Sequence, residues 1–131
     1  MTALVGLWAT LSFRDADAMI IWLKAIGFTE HAVYRDESDS AVVTHAEMLW
    51  PSGGGIMFGS HRENPDWPSR PGTGSTYLVT DEVDGTFKAA VAAGARVVRE
   101  PQDEDYGGRG AAVHDPEGNL WSFGSYQPLS A

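Results

Sequence analysis

The sequence predicts an α+β fold of two tandem βαβββ modules that form a curved mixed sheet with a central cleft. The first observation is an internal repeat, in which residues 51–60 recur as residues 116–125, with Pro, Gly and a Phe-Gly-Ser triplet 65 residues apart. The second is a helix pattern that ends at Gly27 in one half and at Gly94 in the other. Two copies of one module usually enclose a cleft, where small molecules bind.

The first module is predicted to span about residues 1–60 and to begin with an alternating strand. The apolar face of that strand is formed by Leu7, Ala9, Leu11 and Phe13. The opposite face is formed by Trp8, Thr10 and Ser12. Asp15 or Asp17 is expected to cap the following helix, and Gly27 to end it. Strands are predicted at 4–13, 28–36, 41–50 and 55–60.

A linker rich in Pro and Gly is predicted at about residues 61–73, and the second module at about 74–131. Asp81 or Asp84 is expected to begin the second helix, and Gly94 to end it. Strands are predicted at 74–80, 95–99, 108–114 and 119–126, with a short segment around 102–106. The modules form one domain.

Composition excludes several classes of function. The chain of 131 residues has no cysteine, which excludes disulfides and thiolate chemistry and makes a cytoplasmic location the default. The net charge of −9 argues against nucleic acid as a partner and favours cationic small molecules. No apolar run approaches the length of a membrane span, and the first residues lack a signal-peptide pattern, so no membrane partner is expected.

The turn Asp115-Pro116-Glu117-Gly118 before the last strand, together with the duplicated βαβββ unit, resembles the vicinal oxygen chelate superfamily. The superfamily includes glyoxalase I, extradiol dioxygenases, and fosfomycin- and bleomycin-resistance proteins. The resemblance implies that metal-dependent members carry His, Glu or Gln at positions that correspond here to Trp8, Met57, Ser75 and Ser122. None of these four suits a catalytic divalent ion, so no metal and no cofactor are expected.

Aromatic residues are the principal candidates for ligand binding. Trp8 is expected on the cleft face as a stacking surface, with Met57 and Tyr77 beside it. Trp50 and Trp67 could contact a ligand or a second subunit, or could pack locally. Arg109 could bind an anion, although a surface ion pair is the favoured alternative. The predicted ligand-binding residues are therefore Trp8, Thr10, Trp50, Met57, Trp67, Ser75, Tyr77, Arg109 and Ser122.

His45 and Glu47 lie at i and i+2, a spacing that would place both on one face of a strand. A metal would need a further ligand, for which His114 with Asp115 is the obvious source, so a solvated pair is the favoured interpretation. No nucleophile elbow, cysteine or phosphate-binding loop is present, and no catalytic residue is predicted.

The resemblance is greatest to the metal-free bleomycin-resistance branch. It implies a homodimer that confers resistance by stoichiometric capture of an aromatic natural product, such as a peptide antibiotic, either neutral or cationic. The alternative is a lyase, isomerase or dioxygenase of the same superfamily, metal-dependent or metal-free. A structural or regulatory dimer without a ligand is the third possibility.

Overall fold

The computed structural model describes residues 5–67 and 69–128. Within these residues the chain divides into two compact units at the Pro71–Gly72 bond, here called module one and module two. Module one contains β1 (Ala9–Phe13), α1 (Ala16–Ile26), β2 (Thr29–Arg35), β3 (Val43–Leu49) and β4 (Gly55–Ser60). Module two contains β5 (Ser75–Val79), α2 (Val83–Ala92), β6 (Arg96–Asp103), β7 (Arg109–His114) and β8 (Leu120–Gly124).

Each module has its own mixed four-stranded sheet. The strand order is β1-β4-β3-β2 in module one and β5-β8-β7-β6 in module two. In both sheets the first and last strands of the module pair in parallel, and the other neighbours pair antiparallel. The predicted α+β fold with two tandem βαβββ modules is confirmed, whereas the cleft between the modules stays a prediction.

Strand register reproduces the internal repeat. Ala9 on β1 pairs with Ile56 on β4, and Thr76 on β5 pairs with Trp121 on β8. The two partners in module two lie 67 and 65 residues after their counterparts, which are the offsets seen in the sequence. The repeat therefore identifies structurally equivalent positions, including Thr10 opposite Met57 in module one and Tyr77 opposite Ser122 in module two.

Helix α1 begins and ends as predicted. The Asp15 carboxylate accepts a hydrogen bond from the amide of Ala18 at 3.0 Å and so satisfies one of the free N–H groups of the first turn. Gly27 ends the helix with φ of 125°, a conformation that a residue with a Cβ rarely adopts.

Helix α2 begins differently from the prediction. Neither Asp81 nor Asp84 is the N-cap, because Glu82 occupies that position and its side chain makes no capping bond. The hydroxyl of Thr80 instead accepts a hydrogen bond from the amide of Glu82 at 3.0 Å. Gly94 follows the helix with φ of 116°, as its predicted role requires.

The cores follow the predicted alternation, with one exception before β1. Leu11 and Phe13 are buried on β1, and alternate residues on β4 and β8 are also buried: Ile56, Phe58, Trp121 and Phe123. Leu7 was predicted to join this face but is 86% exposed, because the strand begins only at Ala9. Leu4, the predicted start, lies outside the described residues. The strand predicted at 95–99 continues through irregular pairing to Asp103.

The Asp115–Gly118 turn is built around a buried carboxylate. Asp115 is 4% exposed, and its Oδ1 accepts hydrogen bonds from the amides of Glu117 at 2.8 Å and Asn119 at 3.0 Å. Its Oδ2 accepts from the Asn119 side chain at 2.9 Å and from the Trp121 indole at 2.8 Å. Four donors thus compensate the burial of the charge and fix the entry to β8.

In the described part of the chain, neither helix has the length and apolar character that a membrane-spanning segment requires.

Candidate functional site

An open groove of about 440 Å³ lies on one face of the module one sheet. Alternation along β1 positions it, since Leu11 and Phe13 are buried while Thr10 and Ser12 contribute their side chains to the opposite face. The lining residues include Thr10, Ser12, His45, Met57, Arg62 and Trp67. The volume is in the range of pockets that hold small organic ligands.

The floor of the groove follows from strand register. Met57 on β4 pairs with Thr10 on β1 and with Glu47 on β3. Two residues further along both strands, Ser12 pairs with Gly59, which has no side chain to cover the floor of the groove. A Cβ at Gly59 would lie 3.0 Å from the Thr44 carbonyl oxygen, so the strand itself has little room for one.

Trp67 forms part of the groove wall from the segment that follows β4. Trp67 is 72% exposed, although its indole is large and mostly apolar. Its amide donates to the Asn64 carbonyl at 3.0 Å, and the Asn64 side chain accepts from the Asp66 amide at 3.0 Å. This local turn holds an uncovered indole at the edge of the groove.

His45 is the one histidine among the described lining residues, and its side chain pairs with the Glu47 carboxylate. Its Nε2 lies 2.9 Å from Glu47 Oε2, and the Tyr34 ring stacks beside the imidazole at a centroid distance of 6.2 Å. His31 approaches the same carboxylate at 3.9 Å. The predicted placement of His45 and Glu47 on one strand face is therefore observed.

His114 and Asp115, the predicted source of a further ligand, each bond a partner within module two. His114 Nδ1 lies 2.8 Å from the Gly118 carbonyl oxygen, and Asp115 is held inside its own turn. Across residues 5–67 and 69–128, no group of three or more His, Asp or Glu side chains is arranged to hold a metal ion.

The equivalent face of module two is closed by Tyr77. Ser75 and Tyr77 are exposed on β5, and Ser122 is half-buried on β8 as the register partner of Tyr77. The phenol ring of Tyr77 lies against Gly124, and its hydroxyl donates to the Tyr126 carbonyl at 2.7 Å. Partial burial raises the pKa of the Tyr77 phenol, because desolvation disfavours the phenolate.

Trp8 and Trp50 are placed outside the groove. Trp8 precedes β1, is half-buried, donates its indole N–H to the Val5 carbonyl at 3.2 Å, and covers Gly55. Trp50 is 8% exposed and packs against the Phe28 ring at a centroid distance of 4.9 Å. The sequence left a ligand contact, a subunit contact or local packing open for Trp50, and the structure shows local packing.

Arg109 adopts the surface ion pair that the sequence left as its alternative role. Its guanidinium lies 3.1 Å from carboxylate oxygens of both Asp84 and Asp103. Hydrogen bonds to Asp84 and then Asp103 raise the pKa of Arg109 further above its usual value. The bidentate geometry ties helix α2 to strands β6 and β7 within module two.

The four positions that the resemblance assigns to metal ligands carry side chains that do not suit a divalent catalytic ion. The indole of Trp8 has no lone pair to offer and is used as a donor. Met57 supplies a thioether, and Ser75 and Ser122 supply neutral hydroxyls, all weak ligands for such ions.

Residues 7–123 match the sequence model of the glyoxalase, bleomycin resistance protein and dioxygenase superfamily. The chain belongs to this superfamily. Sequence similarity extends to "Putative glyoxylase CFP32" of Mycobacterium tuberculosis and of Mycobacterium bovis, 30% identical over 133 residues that cover 92% of this chain. The chain spans about half, 51%, of the length of these curated relatives.

Solved structures share the superfamily fold. TioX from Micromonospora sp. ML1 superimposes with a TM-score of 0.72 at 27% identity, covering 93% of this chain and 100% of TioX. The bleomycin resistance determinant encoded on transposon Tn5 gives a TM-score of 0.64 at 19% identity, covering 94% and 98%. A glyoxalase I variant from Zea mays gives 0.69 at 18% identity, covering 92% of this chain and 44% of the maize protein. The last two show likeness of fold alone.

The structure brings together three of the predicted site residues, Thr10, Met57 and Trp67, in one groove of module one. Arg62 and Ser69 also line it and were not predicted. Arg62 lies two residues after β4 in the predicted linker that also carries Trp67, and no periodicity distinguishes it there.

Proposed function

We propose that the protein is a metal-independent binding protein that captures an aromatic small molecule, with an antibiotic natural product as the class of cargo. The observation that carries the proposal is the groove of about 440 Å³ edged by the exposed indole of Trp67 and floored by Met57. A flat ring could stack on the indole while the thioether adapts to its edge. Burial of both surfaces would then supply the affinity.

The chemistry of the family positions supports a binder. Trp8, Met57, Ser75 and Ser122 stand where metal-dependent members carry ligands, and their side chains are poor ligands for a catalytic divalent ion. Membership of a superfamily that includes a bleomycin resistance determinant is consistent with capture as the mode of action. The proposal includes a cytoplasmic homodimer, for which light scattering should give twice the 14.1 kDa chain mass.

Titration of aromatic antibiotics into the purified protein tests this proposal. The protein is prepared without chelator, its metal content is measured, and binding of bleomycin, doxorubicin and actinomycin D is followed by isothermal calorimetry. We expect one-step saturable binding of at least one compound, which Trp67→Ala and Met57→Ala weaken. The control is Tyr106→Ala, which removes an aromatic side chain of module two that is also exposed, at 68%. A stoichiometric first-row metal, or no binding across the panel, would contradict the proposal.

A second candidate is a metal-free isomerase or lyase. The observation that favours it is His45, which lines the groove and pairs with Glu47 at 2.9 Å, an arrangement suited to moving a proton. Incubation with the bound compound followed by mass spectrometry and proton NMR distinguishes the two. Catalytic conversion that His45→Gln abolishes would favour the enzyme, whereas unchanged recovery of the compound would favour the binder.

A further inference from the structure

We infer that the groove of module one selects an aromatic acid, with the ring on Trp67 and the carboxylate at Arg62. This inference rests on the proposed binding function and names the class of its ligand. It departs from the expectation that the acidic chain favours a cation, because the charge of the groove differs from that of the protein.

Arg62 is an arginine at the groove without a partner for its guanidinium. It makes no hydrogen bond or ion pair with any described residue. Three other arginines are each held by carboxylates within 3.1 Å: Arg35, Arg99 and Arg109. An unpaired guanidinium retains five N–H donors in a planar fork that matches a carboxylate.

Asp36 is an acidic residue whose pKa is affected by the charge of Arg62, but the hydrogen bonds of its carboxylate come from its own turn. Its Oδ2 accepts hydrogen bonds from the Ser38 amide at 3.0 Å, the Ser38 hydroxyl at 2.8 Å and the Asp39 amide at 3.0 Å. These bonds, from Ser38 first, lower the pKa of Asp36, and the charge of Arg62 contributes only as the last of the causes. Within the described residues, neither a hydrogen bond nor an ion pair joins Asp36 to Arg62, so the donors of Arg62 stay available for a ligand.

The lining of the groove presents donors and no carboxylate. Among the described residues that line it, none is Asp or Glu. The Glu47 carboxylate, which lies next to Met57 in register, is not part of the lining and meets His45 at 2.9 Å. Thr10 and Ser12 make no side-chain hydrogen bond with a described residue, so both hydroxyls can donate to an acid.

Two other lining hydroxyls already bond the protein, but only one of them has used its proton. Thr44 Oγ1 donates to the Tyr34 carbonyl at 3.1 Å, whereas Ser60 Oγ accepts from the Val43 amide at 2.9 Å. Among the described lining residues, the hydroxyls of Thr10, Ser12, Ser60 and Ser69 therefore remain able to donate beside the Arg62 guanidinium.

The charge of the group that contacts the ligand matters more than the net charge of the protein for the choice between an acid and a cation. The net charge of −9 attracts cations over distance, but salt screens that field beyond about 8 Å at physiological ionic strength. A guanidinium that hydrogen-bonds the ligand acts at about 3 Å, and charge-assisted bonds of this kind are roughly twice as strong as neutral ones. The acidic surface lowers the rate of encounter with an anion, while Arg62 determines which ligand stays bound.

Calorimetry with three matched compounds tests the inference: naphthalene-2-carboxylate, naphthalene-2-carboxamide and 2-naphthylmethylammonium. We expect the carboxylate to bind most tightly to the wild-type protein in 150 mM salt. Arg62→Gln should weaken the carboxylate by about 10- to 100-fold and change the carboxamide by less than about 3-fold. Arg96→Gln, at an exposed arginine of module two, is the matched control and should change neither.

Equal affinity for the three compounds, or an equal loss of all three in Arg62→Gln, would overturn the inference and leave the proposed function standing. Absence of binding by all three would also overturn it. Failure of the proposed function is recognised separately, by an antibiotic panel without binding or by Trp67→Ala without effect on a compound that does bind.

Discussion

In module two the phenol ring of Tyr77 lies directly on the backbone of Gly124. A Cβ at Gly124 would overlap the Tyr77 hydroxyl and would stand 2.7 Å from Cε1 and 2.8 Å from Cζ. In module one the equivalent residues are Thr10 and Gly59, and the atoms nearest to a Cβ at Gly59 are backbone atoms of Val43 and Thr44. The repeats thus differ at this position, where a threonine borders the groove in module one and a tyrosine covers the glycine in module two.

Gly124→Ala is expected to destabilise the protein by about 1–3 kcal/mol, because the new methyl group displaces the Tyr77 ring. The same change in a Tyr77→Thr background should cost much less, since the clash is removed. Urea denaturation of the four proteins of this cycle measures the coupling. Tyr77→Phe serves as control, because it loses only the bond to the Tyr126 carbonyl. An equal cost in both backgrounds would show that the backbone, not the ring, opposes the methyl.

Asp115→Asn is expected to destabilise the protein by about 3 kcal/mol, although the two side chains have the same shape. Either orientation of the amide places an NH₂ group against donors of Asn119, Glu117 or Trp121 that now bond the carboxylate. Chemical denaturation measures the loss. Asp81→Asn, at an exposed aspartate, should leave the free energy of unfolding within about 0.5 kcal/mol. A stable Asp115→Asn protein would mean that the four bonds contribute little.

Trp50→Ala is expected to lower the stability of the protein, and Trp67→Ala is expected to weaken ligand binding. Trp50 is buried against Phe28, so its removal should cost about 3–5 kcal/mol of stability. Trp67 is mostly exposed, so its removal should leave stability almost unchanged and weaken binding in the groove. Denaturation and calorimetry on both variants check this. Loss of stability in Trp67→Ala would indicate that the indole is structural.

Arg35→Gln is expected to raise the pKa of Asp17 towards the ordinary value of 3.8. The hydrogen bond from Arg35, with Oδ1 at 2.6 Å, now holds that pKa below 3.8. Because the folded-state pKa is lowered, the contact stabilises the protein above pH 4 and is lost as the pH falls through the lowered value. Exposure of both side chains makes the effect sensitive to salt. Carboxyl NMR titration measures it, and the pKa of Asp36 should not move.

Much of the fold is encoded locally and could be predicted. Alternation on β1 placed Leu11 and Phe13 in the core, and Asp15 and Gly27 marked the ends of α1 through capping chemistry that needs no distant contact. The start of α2 could not be chosen from its acidic run. There Thr80, rather than an aspartate, satisfies a free amide.

The positions of side chains at the candidate site were harder to predict, because they depend on residues that are distant in sequence. Thr10 and Met57 followed from strand register, which the repeat supplied. The composition of the surrounding turns did not indicate which of Trp50 and Trp67 would be buried. The burial of Trp50 depends on Phe28, more than 20 residues earlier. Arg62 was missed because a single arginine has no periodicity, and its importance comes from its position at the groove without a bonded partner among the described residues.

The irregular pairing of β6 with β7 bears on behaviour at high concentration. β6 is an edge strand of its sheet, and its ladder is interrupted between Val97 and Arg99 and again before Gln102. The strand also carries Pro101, and two arginines, Arg96 and Arg99, flank its two exposed valines. Such an edge is a poor template for strand addition from another chain. The proposed capture of one ligand per molecule would require an abundant protein, and such an edge would let the protein accumulate without aggregating.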